Sequence, residues 1–187
     1  MCGRSNAGAF PGGFTLVEVL VALFVVALGV AGAAAVQAVA VRAAGEAGRL
    51  ADGMRLASSL AERMRANPAA MALPDDANPY LQFDAEAGGA LPAASASCYG
   101  AAGCGPAELA NLDLIETAAQ LASRFPGGHI RVCHDAQEPD ASGLLAWTCT
   151  GGADAPIAIK LGWRDRQAVP EAAPAPAVFL TLGAGAP

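Results

Sequence analysis

Apolar residues dominate the start of the chain, and their pattern changes along it. From Val19 to Val36 no side chain is polar. Phe14-Thr15-Leu16-Val17 leads into this run and Ala38 to Val41 leads out of it. A transmembrane helix needs about 20 mainly apolar residues, so the stretch is long enough to span a bilayer. Beyond it, Val36, Ala40, Ala43, Ala47, Leu50, Met54, Ala57, Ala61 and Met64 recur at alternating steps of four and three. That spacing places one apolar stripe on a continuing helix. Arg42, Glu46, Arg49, Asp52, Arg55, Glu62, Arg63 and Arg65 occupy the other faces. Glu46–Arg49, Asp52–Arg55 and Glu62–Arg65 lie at i,i+3 and support it. Asn67-Pro68 ends it, because proline disfavours helix in the residue before it. The pattern predicts one helix from Phe14 to Ala66, roughly 80 Å long at 1.5 Å per residue. Residues 14–41 are apolar all round and read as transmembrane. Residues 42–66 are amphipathic, so this half lies on something, most simply the chain's own distal domain.

The distal pattern is different. Residues 67–105 are rich in proline, alanine, glycine and serine and read mostly as loop. A second helix is predicted over Pro106–Arg124, with Leu109, Leu112, Ile115, Ala119 and Ala122 as its face, and "FPGG" at 125–128 stops it. Alternation then follows at Ile130/Val132, Leu145/Trp147, Ile157/Ile159/Leu161/Trp163 and Val178/Leu180/Leu182. Period two predicts strands with one buried face. "EPDASG" joins the first two, and Pro170, Pro174 and Pro176 make a loop before the last. The fold class is α+β: a long N-terminal helical stalk packed on a small antiparallel sheet. The globular head spans 67–187, with its strands within about 129–182.

Charge and cysteines sharpen this picture. A net charge of −6 lacks the basic footprint of a nucleic-acid partner. Residues 1–13, "MCGRSNAGAFPGG", carry Arg4 and no acid, which keeps this end cytoplasmic by the positive-inside rule. A secretory signal peptide is the competing reading, since "GAAAVQA" imitates a cleavage site. The short hydrophilic leader ending in glycine argues against it. Cys2, Cys98, Cys104, Cys133 and Cys149 form no CxxC pair, so a metal site is not indicated. Four spread cysteines in an exported domain fit two disulfides. Three connectivities are open; Cys98–Cys104 closing a short loop and Cys133–Cys149 linking adjacent strands is the favoured one. His129 and His134 flank Cys133, but no third orienting group marks a catalytic set. Asp75, Asp76, Asp84 and Glu86 lack EF-hand spacing and read as a solvated acidic loop. Trp147 and Trp163 read as core anchors. No cofactor, catalytic residue or metal is expected.

One stretch, "GGFTLVEVL" at 12–20, places a carboxylate where hydrocarbon begins. Gly13, then Phe14-Thr15-Leu16-Val17-Glu18, then an apolar helix resembles the type IV pilin family with its N-terminal methylation motif. The resemblance implies cleavage by prepilin peptidase between Gly13 and Phe14, N-methylation of Phe14, and Glu18 as the fifth mature residue. "LASSLAERMRANPAAM", "CYGAAGC", "DLIETAAQLASRFPGG", "RVCHD" and "IAIKLGWRDR" are similar to the PilV-type minor pilins of that family. This implies a structural subunit of type IV pilus assembly or priming, not an enzyme. Implied partners are prepilin peptidase, other minor pilins, the major pilin, the inner-membrane assembly machinery and, before assembly, membrane lipid. The implied location is the inner membrane with the head periplasmic, then the pilus (fimbrium). A carboxylate costs ~2.5–3.5 kcal/mol at the bilayer centre and less near the interface. The Phe14 amine of a neighbouring chain offsets that cost, so Glu18 is expected to set subunit register. The alternatives are a minor pseudopilin of a type II secretion system, and a membrane-anchored periplasmic binding protein or enzyme with a pocket in its head.

Overall fold

The computed structural model describes residues 13–90, 98, 103–136, 145–152, 154–164 and 175–183. Residues 1–12 of the expected leader, the "EPDASG" connection and Pro170 and Pro174 lie outside them. Helix α1 runs Leu16–Ala66, within two residues of the predicted start. Its second-turn entry is set locally: Thr15 precedes the helix and its Oγ1 accepts the Glu18 backbone N–H at 3.3 Å. At the far end Asn67 closes α1 and starts α2, Pro68–Met71, accepting the Ala70 N–H on its side chain with Pro68 in the first turn. Proline suits that place because its missing N–H has no helical partner there.

The chain divides into two compact units, one ending at Ala47 and one starting at Gly48. In the first, every described residue is exposed, including Phe14, Leu20, Phe24 and Val30.

In the second unit, the end of α1 packs on a small antiparallel sheet. Among the described residues the sheet has four strands: β1 Asp84–Glu86, β2 His129–His134, β3 Ile157–Gly162 and β4 Val178–Leu182, in the order β1-β2-β3-β4. Helix α3, Pro106–Arg124, joins them in one core. Leu56, Leu60 and Met64 from α1 meet Leu114 and Leu121 from α3, and Ile130, Val132, Ile159 and Leu161 from the sheet. Arg131 pairs with Lys160, and Cys133 with Ala158, which fixes which side chains share the outer face. Gly127, at φ 60°, turns the chain from α3 into β2, a conformation that glycine adopts without steric cost.

Four expectations are corrected. The buried side of α1 is Gly53, Leu56, Ala57, Leu60, Ala61 and Met64, so Leu50 and Met54 of the predicted stripe stay exposed. A Cβ at Gly53 would lie 2.8 Å from Trp163 Cζ3 and 3.2 Å from Val178 Cγ2; the missing side chain lets sheet and helix close. The buried side of α3 is Ala110, Asp113, Leu114, Thr117, Ala118 and Leu121, not the side of Leu109. Leu145/Trp147 form no strand; the neighbouring carbonyls of Ala146 and Thr148 are held by the Lys160 side chain instead. Asp84 and Glu86 belong to β1, where Asp84 faces Arg131 and Glu86 faces His129, rather than to a solvated loop.

Candidate functional site

The residues that the sequence singles out for processing and assembly lie together at the start of α1. Phe14 and Leu16 are among the most exposed apolar residues of the chain. Glu18 is in the first helical turn, where unpaired N–H groups and the helix dipole favour an acid. Thr15 and Glu18 thus make one half of a capping box. A side chain added at Gly13 would meet nothing within 4 Å, and the same holds at Gly29 and Gly32. Packing among the described residues therefore requires none of these glycines. Among the described residues α1 is the one helix long and apolar enough to cross a membrane by length and composition.

The distal unit is organised by two buried polar networks. In the first, Arg63 on α1 donates to Asp113 at 2.8 Å and Glu116 at 2.7 Å on α3. The Tyr80 hydroxyl donates to the other Asp113 oxygen at 2.7 Å, and Asn67 Nδ2 donates to the Pro106 carbonyl at 2.8 Å. Burial alone lowers the Arg63 pKa; the hydrogen bonds to Asp113 and Glu116 and the two carboxylate charges outweigh it and raise it. Burial, then the bond to Asp113, raises the Tyr80 pKa above the ordinary 10.0 of tyrosine. The sign of the consequence is fixed. Above that ordinary value the unfolded chain loses the proton that the folded chain keeps, so folding becomes less favourable as pH rises. We expect the urea midpoint of the chain to fall between pH 9 and pH 11, and Tyr80→Phe to reduce that fall. Equal slopes in the two chains would show that Tyr80 is not the group responsible.

In the second network, Lys160 on β3 and Asp135, just after β2, are each 1% exposed and paired at 2.5 Å. Lys160 Nζ also donates to the carbonyls of Ala146 at 2.8 Å and Thr148 at 2.7 Å. The other Asp135 oxygen accepts the Thr150 N–H and hydroxyl. Two of the ammonium's three N–H groups are thus met by carbonyls, and the Asp135 carboxylate lies beside it as the countercharge. Sequence reasoning passed over both partners. The available signal was a lone lysine inside the apolar run "IAIKLGW".

Disulfides join Cys98 to Cys104 and Cys133 to Cys149. Cys149 lies in the irregular segment, not on a strand. His129 bonds Asp84 at 2.5 Å and stacks on Trp147 with ring centroids 3.9 Å apart. His134 instead bonds the Ala155 carbonyl at 2.6 Å and faces Asp75. The two histidines therefore point to different partners. Among the described residues no group of three histidine, cysteine, aspartate or glutamate side chains could hold a metal. Trp163 packs on Phe125 at the edge of the core, centroids 5.1 Å apart, whereas Trp147 lies over Gly162 on the outer face. A hollow of about 330 Å³ is lined by Phe83, Asp84, Asn111 and Leu114; its acid, Asp84, is engaged by His129 and Arg131.

Two family models match the chain, on adjoining stretches. Residues 12–34 match the prokaryotic N-terminal methylation motif. Residues 35–115 match a family described as Type IV pilin Tt1218. No curated protein and no solved structure matches. The motif match covers Gly13, Phe14 and Glu18, and the pilin match takes in the buried end of α1 and the first turns of α3. With the long helix packed on a four-stranded antiparallel sheet, these make the chain a type IV pilin-like protein carrying the prepilin N-terminal methylation motif.

Proposed function

We propose that the chain is a PilV-type minor pilin, a structural subunit used in the assembly or priming of a type IV pilus. Prepilin peptidase cuts between Gly13 and Phe14, and the new Phe14 amine is methylated. Before the cut, residues 14–41 cross the inner membrane with the leader cytoplasmic and the distal unit periplasmic. After it, the helix leaves lipid and packs among the helices of other minor pilins and the major pilin. The observation that carries this reading is the first half of α1, exposed throughout among the described residues and headed by a glycine that no contact among them demands. Close backbone approach by a peptidase is what glycine permits at that position. Gly29, Gly32 and Ala33 to Ala35 suit close approach between helices in the same way. The distal resemblance to PilV-type chains favours a pilus over a type II secretion system. Intact-mass measurement and N-terminal sequencing, from cells with and without prepilin peptidase, test the proposal. A methylated Phe14 start only when the peptidase is present is expected. A Met1 start in both would overturn it.

A further inference from the structure

We propose that residues 145–150 form a redox-latched strap. The Cys133–Cys149 disulfide holds the strap over the Lys160–Asp135 pair, and a dithiol that reduces this bond opens it. The inference rests on the distal unit alone and stands apart from the reading of the helix start.

The segment has no strand pairing of its own. Among the described residues its attachments include the two carbonyls held by Lys160, the Thr150 N–H and hydroxyl held by Asp135, and the Thr150 carbonyl bonded by the Ala136 N–H at 2.8 Å. Trp147 adds its stack on His129. Most of these contacts converge on one buried ion pair. Taking such a pair out of water is costly, and its attraction repays that only with good geometry and satisfied hydrogen bonds. Here the strap supplies four hydrogen bonds to the pair, two to Lys160 and two to Asp135, and these are lost when the strap lifts. The disulfide, spanning a sequence separation of 16, keeps the strap near the pair by restricting the alternatives open to it. Both sulfurs belong to half-buried residues, within reach of a small thiol.

Opening follows thiol–disulfide exchange. One thiolate of an external dithiol attacks a sulfur of the bond, the Cys133–Cys149 bond breaks, and a mixed disulfide forms. The second thiol of the reagent displaces it. Two electrons pass to the protein sulfurs, which take up two protons as Cys133 and Cys149 thiols, and the reagent leaves as a disulfide.

Lys160 is the sole lysine of the sequence, so amine acylation reports on the strap at one side chain. The experiment uses the full chain in detergent micelles, acetylated with an N-hydroxysuccinimide ester and read by peptide mass spectrometry. We expect Lys160 to react about tenfold faster, or more, after dithiothreitol, as local opening exposes it. The Cys133→Ser/Cys149→Ser chain should match the reduced protein without reductant. Cys98→Ser/Cys104→Ser should match the oxidised one. Hydrogen exchange run alongside should show faster amides at 145–152 with Leu56–Met64 still protected. Equal Lys160 reactivity before and after reduction would overturn the proposal. So would loss of protection at Leu56–Met64 together with 145–152, because the unit would then open as a whole.

Discussion

Asp135→Ala should lower the stability of the distal unit by about 3–5 kcal/mol, the usual cost of removing one partner of a buried ion pair. Lys160 is 1% exposed, so water cannot reach the ammonium to replace the lost carboxylate. The carbonyls of Ala146 and Thr148 remain, but they carry dipoles and not a countercharge. The Thr150 N–H and hydroxyl lose their acceptor as well. Whole domains are stable by only about 5–15 kcal/mol, so the variant should unfold near the bottom of the denaturant range. The double variant Lys160→Met/Asp135→Asn removes both charges and keeps an oxygen for Thr150. It should cost less than half as much. Urea unfolding followed by tryptophan fluorescence, with both disulfides intact, measures the difference. A single variant within 1 kcal/mol of the parent, on the scale of an ordinary hydrogen bond, would show that the pair is not what holds this part of the fold.

The contrast between what the sequence displayed and what it hid follows from chain distance. Gly13 to Glu18, the apolar run and the end of α1 at Asn67-Pro68 are local signals, and the helix bounds followed from them. The faces were harder. On α3 the buried side includes Asp113 and Thr117, and periodicity treats such residues as marks of solvent. Asp113 is inside because Arg63, 50 residues away, and Tyr80, 33 residues away, come to meet it. On α1 the glycine at 53 carried no weight in the stripe, although it is where Trp163 makes its close approach. Leu145/Trp147 imitated a strand for a related reason. The alternation there is local, whereas the groups that meet the segment's backbone, Lys160 and Asp135, come from elsewhere in the chain. Lys160 itself alternates with Ile159 and Leu161, so it read as the solvent side of β3.

Glu18→Ala and Glu18→Gln should both be processed at Gly13 yet be about tenfold or more depleted in assembled pili, since each 1.4 kcal/mol of lost pairing is a factor of ten. The helix start gives Glu18 a second, local role that has to be separated from this one. An acid in the first turn stabilises a helix by about 0.3–1 kcal/mol, and Thr15 holds the Glu18 backbone N–H whatever side chain is attached. Removing the acid should therefore leave the helix formed and the cleavage site presented as before. Thr15→Ala makes the reverse test. It removes the side-chain cap, at about 1 kcal/mol, and leaves the carboxylate in place, so its entry into pili should stay near the parental level. Glu18→Gln is the decisive variant because it keeps size and polarity and removes only the charge. The proposed partner, the Phe14 amine, exists only after the cut, and in the assembled state it belongs to another chain. A charge pair formed across that boundary fails with glutamine; a local cap does not. Counting the subunit in sheared pili against the membrane fraction separates the two, and parental levels of Glu18→Gln in the sheared fraction would leave Glu18 with its helix-start role alone.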